Sequence, residues 1–176
     1  MPKKILVTYA SRTGSTAGIA EAIAKTLAES GADVDVRPMQ DINSAQDLAG
    51  YGAVVAGSAI RGAKWLPEAM QFVQTYRAEL ARKPFATFLV CMTLAMSNGE
   101  KYRAGVAEWL APVRAQVKPV SAGLFPGILD ISRVPAVSDK LKFRLSVLMG
   151  VWSEGDHRDW AAVRGWAESL RPLLLR

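Results

Sequence analysis

The sequence predicts an α/β protein built on a parallel β-sheet. The chain has 176 residues, half of them are hydrophobic, and short apolar runs alternate with helical patterns five times. A chain of this length suits one domain of ordinary size, spanning residues 1–176. Strands that alternate with helices are typical of βαβ units, in which right-handed crossovers join parallel strands. We therefore expect one doubly wound sheet with helices on both faces.

Five short runs rich in apolar and β-branched residues are predicted to be the strands. The first run, KKILVTY, is apolar over most of its length, which is typical of a strand buried on both faces. The second run, DVDVRP, alternates, so one of its faces is expected to be polar. The predicted strands span residues 3–9, 33–38, 51–58, 85–92 and 118–124.

The spacing of apolar residues predicts four helices between and after these strands. In the first helix, Ile19, Ile23 and Leu27 recur every four residues. Pro67 stands near the start of the second, where proline is tolerated because its missing N–H would have no intrahelical partner. The predicted helices span residues 16–29, 67–80, 98–115 and 159–175.

Residues 125–158 do not fit the alternation and are predicted to be an insertion after the fifth strand. A structureless loop of this length would be unusual in a compact domain. A stripe of apolar residues predicts a helix in its middle, over residues 135–152. The stripe consists of Val137, Leu141, Leu145, Leu148 and Trp152.

Three roles for this insertion remain open from the sequence. It could pack down as an extra core helix, or it could lie on a membrane surface with Lys140, Lys142 and Arg144 near anionic headgroups. It could also form the wall of a pocket that admits an apolar substrate. The last two roles are compatible with each other.

Composition excludes several classes of function. A single cysteine, Cys91, excludes an internal disulfide framework and a cysteine-rich zinc site, and a single histidine, His157, argues against a metal site or a Ser-His-Asp triad. No signal peptide and no apolar run of about 20 residues is visible, so we expect a cytoplasmic protein. The net charge is +6, but the basic residues are spread along the chain, and no nucleic-acid partner is expected.

The loop after the first strand predicts a phosphate site. Residues 11–16 read Ser-Arg-Thr-Gly-Ser-Thr and lie between a buried strand and the start of a helix. In an open parallel sheet, ligands bind at the carboxyl ends of the strands, and a helix N-terminus there presents unpaired N–H groups. Four hydroxyl side chains in six residues exceed what helix capping requires. The loop matches neither the Walker A nor the GxGxxG pattern.

The order of elements, together with Y-A-S-R-T-G-S-T, resembles the flavodoxin superfamily. Its members bind flavin mononucleotide (FMN) and grip the phosphate with a T/S-x-T-G-x-T loop, in which Ser11, Thr13, Gly14 and Thr16 match the defining positions. The resemblance implies a flavodoxin-like sheet of strand order 2-1-3-4-5, with FMN at the switch point of the winding. No metal is expected.

The resemblance also implies that the loops after the third and fourth strands flank the flavin ring. Arg61 could place a positive charge near the ring and favour its anionic, doubly reduced form. Trp65 is the one aromatic candidate for stacking in these two loops, and no side chain is required as an acid or base. The implied cofactor contacts are Ser11, Arg12, Thr13, Gly14, Ser15, Thr16, Ser58, Ala59, Ile60, Arg61, Gly62, Thr93, Leu94 and Ala95.

Three further segments, G-S-A-I-R-G, P-E-A-M-Q-F-V and A-G-L-F-P-G, resemble one branch of this superfamily. That branch is the bacterial menaquinone-dependent protoporphyrinogen IX dehydrogenase. The resemblance implies an FMN-dependent oxidoreductase that oxidises protoporphyrinogen IX, or a related reduced small molecule, and passes electrons to a quinone. It also implies peripheral contact with the inner face of the cell membrane. The alternatives are a small electron carrier of the flavodoxin type and a module that has lost FMN.

Overall fold

The fold is an α/β arrangement around a twisted sheet, seen in a computed structural model that describes residues 4–175. Lys3, the first residue of the first predicted strand, lies outside the described residues. Within residues 4–175, six strands form the main sheet. They are β1 (Ile5–Ala10), β2 (Val34–Pro38), β3 (Ala53–Arg61), β4 (Lys64–Trp65), β5 (Phe85–Cys91) and β6 (Ser121–Pro126).

Five of these strands are parallel and follow the order β2-β1-β3-β5-β6. Counting only the parallel strands, this is the predicted order 2-1-3-4-5, so the predicted fold class is confirmed. The winding reverses direction beside β1, and the carboxyl ends of β1 and β3 meet there with Ala10 opposite Ser58. The short strand β4 folds back on β3 in antiparallel pairing.

Eight α-helices accompany the sheet in the described part of the chain. They are α1 (Ser15–Ala28), α2 (Gln46–Ala49), α3 (Pro67–Thr75), α4 (Arg77–Ala81), α5 (Arg103–Glu108), α6 (Ala111–Gln116), α7 (Val137–Leu148) and α8 (Trp160–Leu174). Helices α1 and α8 cover one face, where Ile23 and Leu170 are fully buried. Helices α3, α5 and α6 cover the other, where Phe72 and Val113 join the core.

The structure corrects several predicted boundaries. The third strand continues past Ser58 to Arg61, because β4 pairs with its end. The predicted helix 67–80 breaks at Tyr76, and the predicted helix 98–115 consists of a 3-10 turn followed by α5 and α6. Pro112 stands in the first turn of α6 and therefore begins a helix instead of interrupting one.

The insertion after β6 is closed at its base by a small antiparallel pair, β7 (Ile128–Leu129) with β8 (Gly155–Asp156). Helix α7 forms in its middle, as the apolar stripe predicts, but it ends at Leu148 and none of its side chains is fully buried. Trp152, the last residue of the predicted stripe, lies beyond the helix and packs on Phe143 instead of continuing the stripe. The hypothesis of an extra core helix is therefore wrong. Among residues 4–175, no helix has the length and apolar character needed to cross a bilayer.

Candidate functional site

Three loops meet at the carboxyl edge of the sheet, and they follow β1, β3 and β5. Parallel pairing forces this arrangement, because β3 lies between β1 and β5 in register. These loops, with the end of β3 and the start of α1 beside them, contain the three groups of cofactor contacts that the resemblance implies. The structure therefore brings these groups to one edge, while the role of each residue toward FMN remains a prediction.

The first loop ends in an uncapped helix. Gly14 adopts a left-handed conformation (φ 93°), which a residue with a side chain rarely adopts, and its N–H donates to Ser11 Oγ at 3.0 Å. Among the residues that the structure describes, no side chain caps the first turn of α1, and no acidic residue lies in this turn. The first N–H groups of a helix carry partial positive charge, so this turn suits an anion.

Buried hydroxyl groups complete this first loop. Thr16 is fully buried, and its Oγ1 has no hydrogen-bond partner within the described residues. Ser15 beside it is 8% exposed. A buried hydroxyl that lacks a partner costs free energy, and a phosphate oxygen would provide one. The residues present therefore fit the phosphate of FMN.

Arg12 does not add a free positive charge to this loop. Its guanidinium pairs with Glu68 at 2.7 Å, which ties the loop to the first turn of α3. The exposed Thr13 is contacted instead from the insertion, where Arg133 Nη1 donates to the Thr13 carbonyl oxygen at 3.2 Å. The backbone of the loop is thus held from two sides.

The second loop is a tight β-hairpin between β3 and β4. Gly62 (φ 57°) and Ala63 (φ 59°) both have positive φ, as a type I′ turn requires. Ser58 Oγ donates to the Ala59 carbonyl at 2.8 Å and accepts from the Leu66 N–H at 3.0 Å. The Ser58 hydroxyl therefore closes the hairpin and is already engaged within it.

The hairpin also decides the position of Trp65. Pairing with Ile60 turns the Trp65 side chain into the core, where it is only 3% exposed. The suggestion that Trp65 stacks on a flavin ring is therefore not supported by this structure. Arg61, at the tip, is largely exposed and pairs with Asp139 of α7 at 3.6 Å.

The third loop begins with a 3-10 turn over Thr93–Ala95. A shallow depression of about 380 Å³ lies beside it, bounded by Leu94 and the segment from Met96 to Lys101. Gly99 is buried here, and a Cβ on it would overlap the Leu94 carbonyl. Burial raises the pKa of the Cys91 thiol at the end of β5, so this thiol stays protonated at neutral pH.

The insertion contacts all three loops, a feature that the sequence did not reveal. Besides Arg133 and Asp139, it contributes Trp152, whose indole N–H donates to the Met92 carbonyl at 2.9 Å. The Trp152 ring also packs on Phe143 of α7, with ring centroids 5.3 Å apart. The sequence pattern assigns Trp152 to the apolar stripe of the insertion, and Arg133 and Asp139 belong to no motif. Only the position of the insertion, after a strand that ends at the same edge, could have suggested these contacts.

The comparisons with known proteins agree with this geometry. The model of the flavodoxin domain family matches residues 6–156. Among solved structures, the flavodoxin of Streptococcus pneumoniae TIGR4 is 17% identical, with a TM-score of 0.61 over 96% of this chain and 98% of that one. Flavodoxin 2 of Bacillus cereus is 18% identical, with a TM-score of 0.58 over 96% and 98% of the two chains.

A flavodoxin from the domain Archaea is 21% identical, with a TM-score of 0.54 over 96% of this chain and 99% of that one. Identities this low establish the fold alone, whereas the family model identifies the sequence. The uncapped turn of α1 and its unpartnered Thr16 hydroxyl fit the phosphate of the cofactor of this family. The chain belongs to the flavodoxin domain family, whose cofactor is FMN.

Proposed function

We propose that the protein is an FMN-dependent oxidoreductase that oxidises protoporphyrinogen IX, or a related reduced substrate, and passes the electrons to a quinone. The insertion is the observation that carries this proposal, since Arg133, Asp139 and Trp152 attach it to all three loops. A carrier needs an open cofactor edge for protein partners. An element held over that edge suits an enzyme, because it can shape a substrate site there.

The residues of the chain would bind and orient the cofactor. The first turn of α1, with Thr13, Ser15 and Thr16, would hold the phosphate, and the backbones of the hairpin and of Thr93–Ala95 would flank the ring. When bound, FMN supplies an acceptor for two electrons and a proton. No side chain of the site is required to accept or donate a proton.

The quinone completes the electron balance of the proposed reaction. Each pair of hydrogens removed from the porphyrinogen leaves as two electrons and two protons, and the quinone that takes them up is released as quinol. The long-chain quinones of respiration dissolve in bilayers, so the proposal includes peripheral contact with a membrane surface.

A flavodoxin-type electron carrier is the second candidate. It is favoured by the similarity to three flavodoxins over nearly the full length of the chain. Against it, the side chain of Trp65 is buried and cannot offer the stacking surface that electron-carrier flavodoxins often use. The two candidates differ in the number of electrons exchanged per event.

The test is an anaerobic assay of the FMN-loaded protein with protoporphyrinogen IX and a water-soluble menaquinone analogue. We expect porphyrin fluorescence to appear in proportion to quinol, and a redox titration to show one two-electron step. A protein without bound FMN is the matched blank. Two well-separated one-electron steps, with no oxidation of the porphyrinogen, would support the carrier instead.

A further inference from the structure

We propose that the outer face of α7 is a docking surface for an anionic lipid bilayer. The lipid contact is argued from the surface of α7 alone, whereas its purpose, access to a quinone, rests on the proposed function.

The outer face of α7 and its last turn is strongly apolar. Its large side chains are spaced so that they form one stripe along a helix. They are Val137 (81% exposed), Leu141 (69%), Leu145 (57%), Leu148 (85%) and Met149 (70%). A contiguous apolar stripe of this kind on a water-soluble protein marks an interaction surface.

The orientation of α7 is the reverse of an ordinary surface helix. Such a helix turns its apolar stripe toward the core and its polar residues toward water. Here Asp139 faces inward to pair with Arg61, and Phe143 packs on Trp152, while the leucines point away from the protein. These two inward contacts fix the orientation, so the exposed stripe follows from specific pairing.

The charges around the stripe are complementary to an anionic surface. At 3.6 residues per turn, Lys142 and Arg144 lie on opposite flanks of the stripe, and both are exposed. Asp139, the acidic residue of α7, lies on the inner side and pairs with Arg61 at 3.6 Å. It also lies 3.9 Å from the Lys142 ammonium, so it offsets part of that charge, whereas Arg144 is not among its ion-pair partners. The outer face therefore presents apolar side chains between two cations, the arrangement of helices that lie in the interface of a bilayer.

The area of the face favours lipid over a second copy of the chain. A helix of 12 residues is about 18 Å long and about 10 Å wide, so one face offers on the order of 200 Å². Stable protein interfaces bury about 800 Å² on each partner. A bilayer needs no such area, because apolar side chains insert individually and anionic headgroups add attraction from a distance.

Docking through α7 would set the orientation of the site at the membrane. The inner face of the insertion is fixed to the loops through Arg133, Asp139 and Trp152. The carboxyl edge of the sheet would then face the bilayer, which is where a long-chain quinone resides.

The experiment is co-sedimentation of the full-length, FMN-loaded protein with vesicles of phosphatidylcholine and phosphatidylglycerol in a two-to-one ratio. A double variant, Leu141→Ser with Leu148→Ser, removes apolar groups that are exposed, so folding should be unaffected. We expect its partition coefficient to fall at least tenfold. Val120→Ser is the matched control, because Val120 is also exposed (45%) but precedes β6 at the opposite edge of the sheet.

A second pair of substitutions, Lys142→Gln with Arg144→Gln, tests the charge argument. We expect this variant to lose the preference for vesicles that contain phosphatidylglycerol and to bind with little dependence on salt. Equal binding of wild type and the leucine variant, or no binding of wild type, would overturn the proposal. Concentration-dependent dimerisation in sedimentation velocity, abolished by the leucine substitutions, would assign the face to a second copy instead.

Turnover with a water-soluble quinone keeps the two proposals separate. Vesicle binding without any turnover would leave the docking surface intact and remove the proposed reaction. Turnover by a protein that does not bind vesicles would support the proposed reaction and remove the docking surface.

Discussion

The hydroxyl group of Thr16 is a main reason to expect a phosphate site. Thr16 is completely buried, yet its Oγ1 has no partner within the described residues, whereas the nearby Ser11 Oγ accepts from Gly14. Buried hydroxyls without partners are uncommon in folded proteins, and a group that binds there is one explanation for those that persist. Thr8 and Thr87 share this property but lie within β1 and β5, so burial alone does not identify the phosphate loop.

Replacing Thr16 with valine should weaken FMN binding without lowering the stability of the FMN-free protein. We expect FMN affinity to fall by about 1–3 kcal/mol, because a hydrogen bond to a charged oxygen is lost. The free energy of unfolding of the FMN-free protein should stay the same or rise, since a buried group without a partner is removed. Fluorescence titration with FMN and urea unfolding measure the two quantities. Thr87→Val is the control, and equal affinity losses in both variants would contradict the assignment.

At position 99 there is no room for a side chain. A Cβ there would overlap the Leu94 carbonyl, which belongs to the turn expected to flank the flavin. We expect Gly99→Ala to displace this turn and weaken FMN binding at least tenfold. In the control, Gly105→Ala, no atom lies within 4 Å of the added Cβ, and the gain in helix propensity should stabilise the protein by about 0.5–1 kcal/mol. Unchanged FMN affinity in Gly99→Ala would show that this turn does not contact the cofactor.

Substitutions of Arg61 and of Asp139 should shift the midpoint potential of the flavin in opposite directions. Removing the carboxylate with Asp139→Asn leaves the Arg61 charge unbalanced, which favours a more negative, reduced cofactor and raises the midpoint potential. Arg61→Gln should lower it. Since the pair is solvent-exposed, we expect shifts of roughly 10–30 mV, measured by spectroelectrochemistry. Shifts of the same sign in both variants would exclude a direct electrostatic role for this pair.

At the scale of elements, the insertion is secured to the sheet by a few polar contacts. Near its end, Arg158 pairs with Asp156 at 2.6 Å and lies over the Trp160 ring, with its guanidinium 4.4 Å from the ring centroid. This cluster joins β8 to the start of α8 and fills the space above Gly18 of α1. The hydrogen bond from Arg158 holds the pKa of the Asp156 carboxyl below its ordinary value.

This pKa shift predicts a pH-dependent contribution to stability. A carboxyl group whose pKa is lower in the folded state stabilises the protein above its unfolded pKa, near 4, and the effect disappears as pH falls through the folded value. We expect Asp156→Asn to cost less than about 1 kcal/mol at pH 7, because Asp156 is partly exposed. Urea unfolding at pH 7 and near pH 3 should show this difference shrinking, while Glu168→Gln on α8 shows little change at either pH. A constant difference would mean that Arg158 does not act through the Asp156 charge.

At the scale of the whole molecule, the sheet and the insertion are separable. Two apolar layers, one on each face of the sheet, hold the structure together, and α7 adds no fully buried side chain to either. Stability therefore resides in the sheet and its covering helices, whereas the insertion only borders the site. FMN binding should therefore depend on the sheet and its covering helices, and substrate turnover should depend on the insertion.

Replacing residues 134–150 by a short Gly-Ser linker tests this division. We expect the free energy of unfolding to fall by less than about 1 kcal/mol and FMN affinity to change little, because no side chain of α7 is fully buried. Turnover with a water-soluble quinone should be lost. The Leu141→Ser and Leu148→Ser variant is the control, since it keeps α7 in place and should retain this turnover. Full activity without the helix would remove the insertion from the reaction.

The sequence alone predicted the α/β class, the alternation of strands and helices and the helix in the insertion, which the structure confirms, and it predicted a phosphate loop over residues 11–16, whose role stays a prediction. These follow from local patterns: continuous apolar runs for buried strands, helical spacing, and a turn of hydroxyl residues before a helix. The strand order and the family were reached through resemblance, which the family model and the solved structures confirm.

Only the tertiary structure decided which side chains are free to act. The pairing of Ile60 with Trp65 buries the tryptophan that the sequence offered for stacking, and a hydrogen bond to Leu66 engages Ser58 in the hairpin. The contacts of Arg133, Asp139 and Trp152 join segments far apart in the chain, so no local pattern records them. The outward orientation of the α7 stripe also depends on contacts between distant segments. Helical periodicity predicts the stripe, but long-range packing determines that it faces away from the protein.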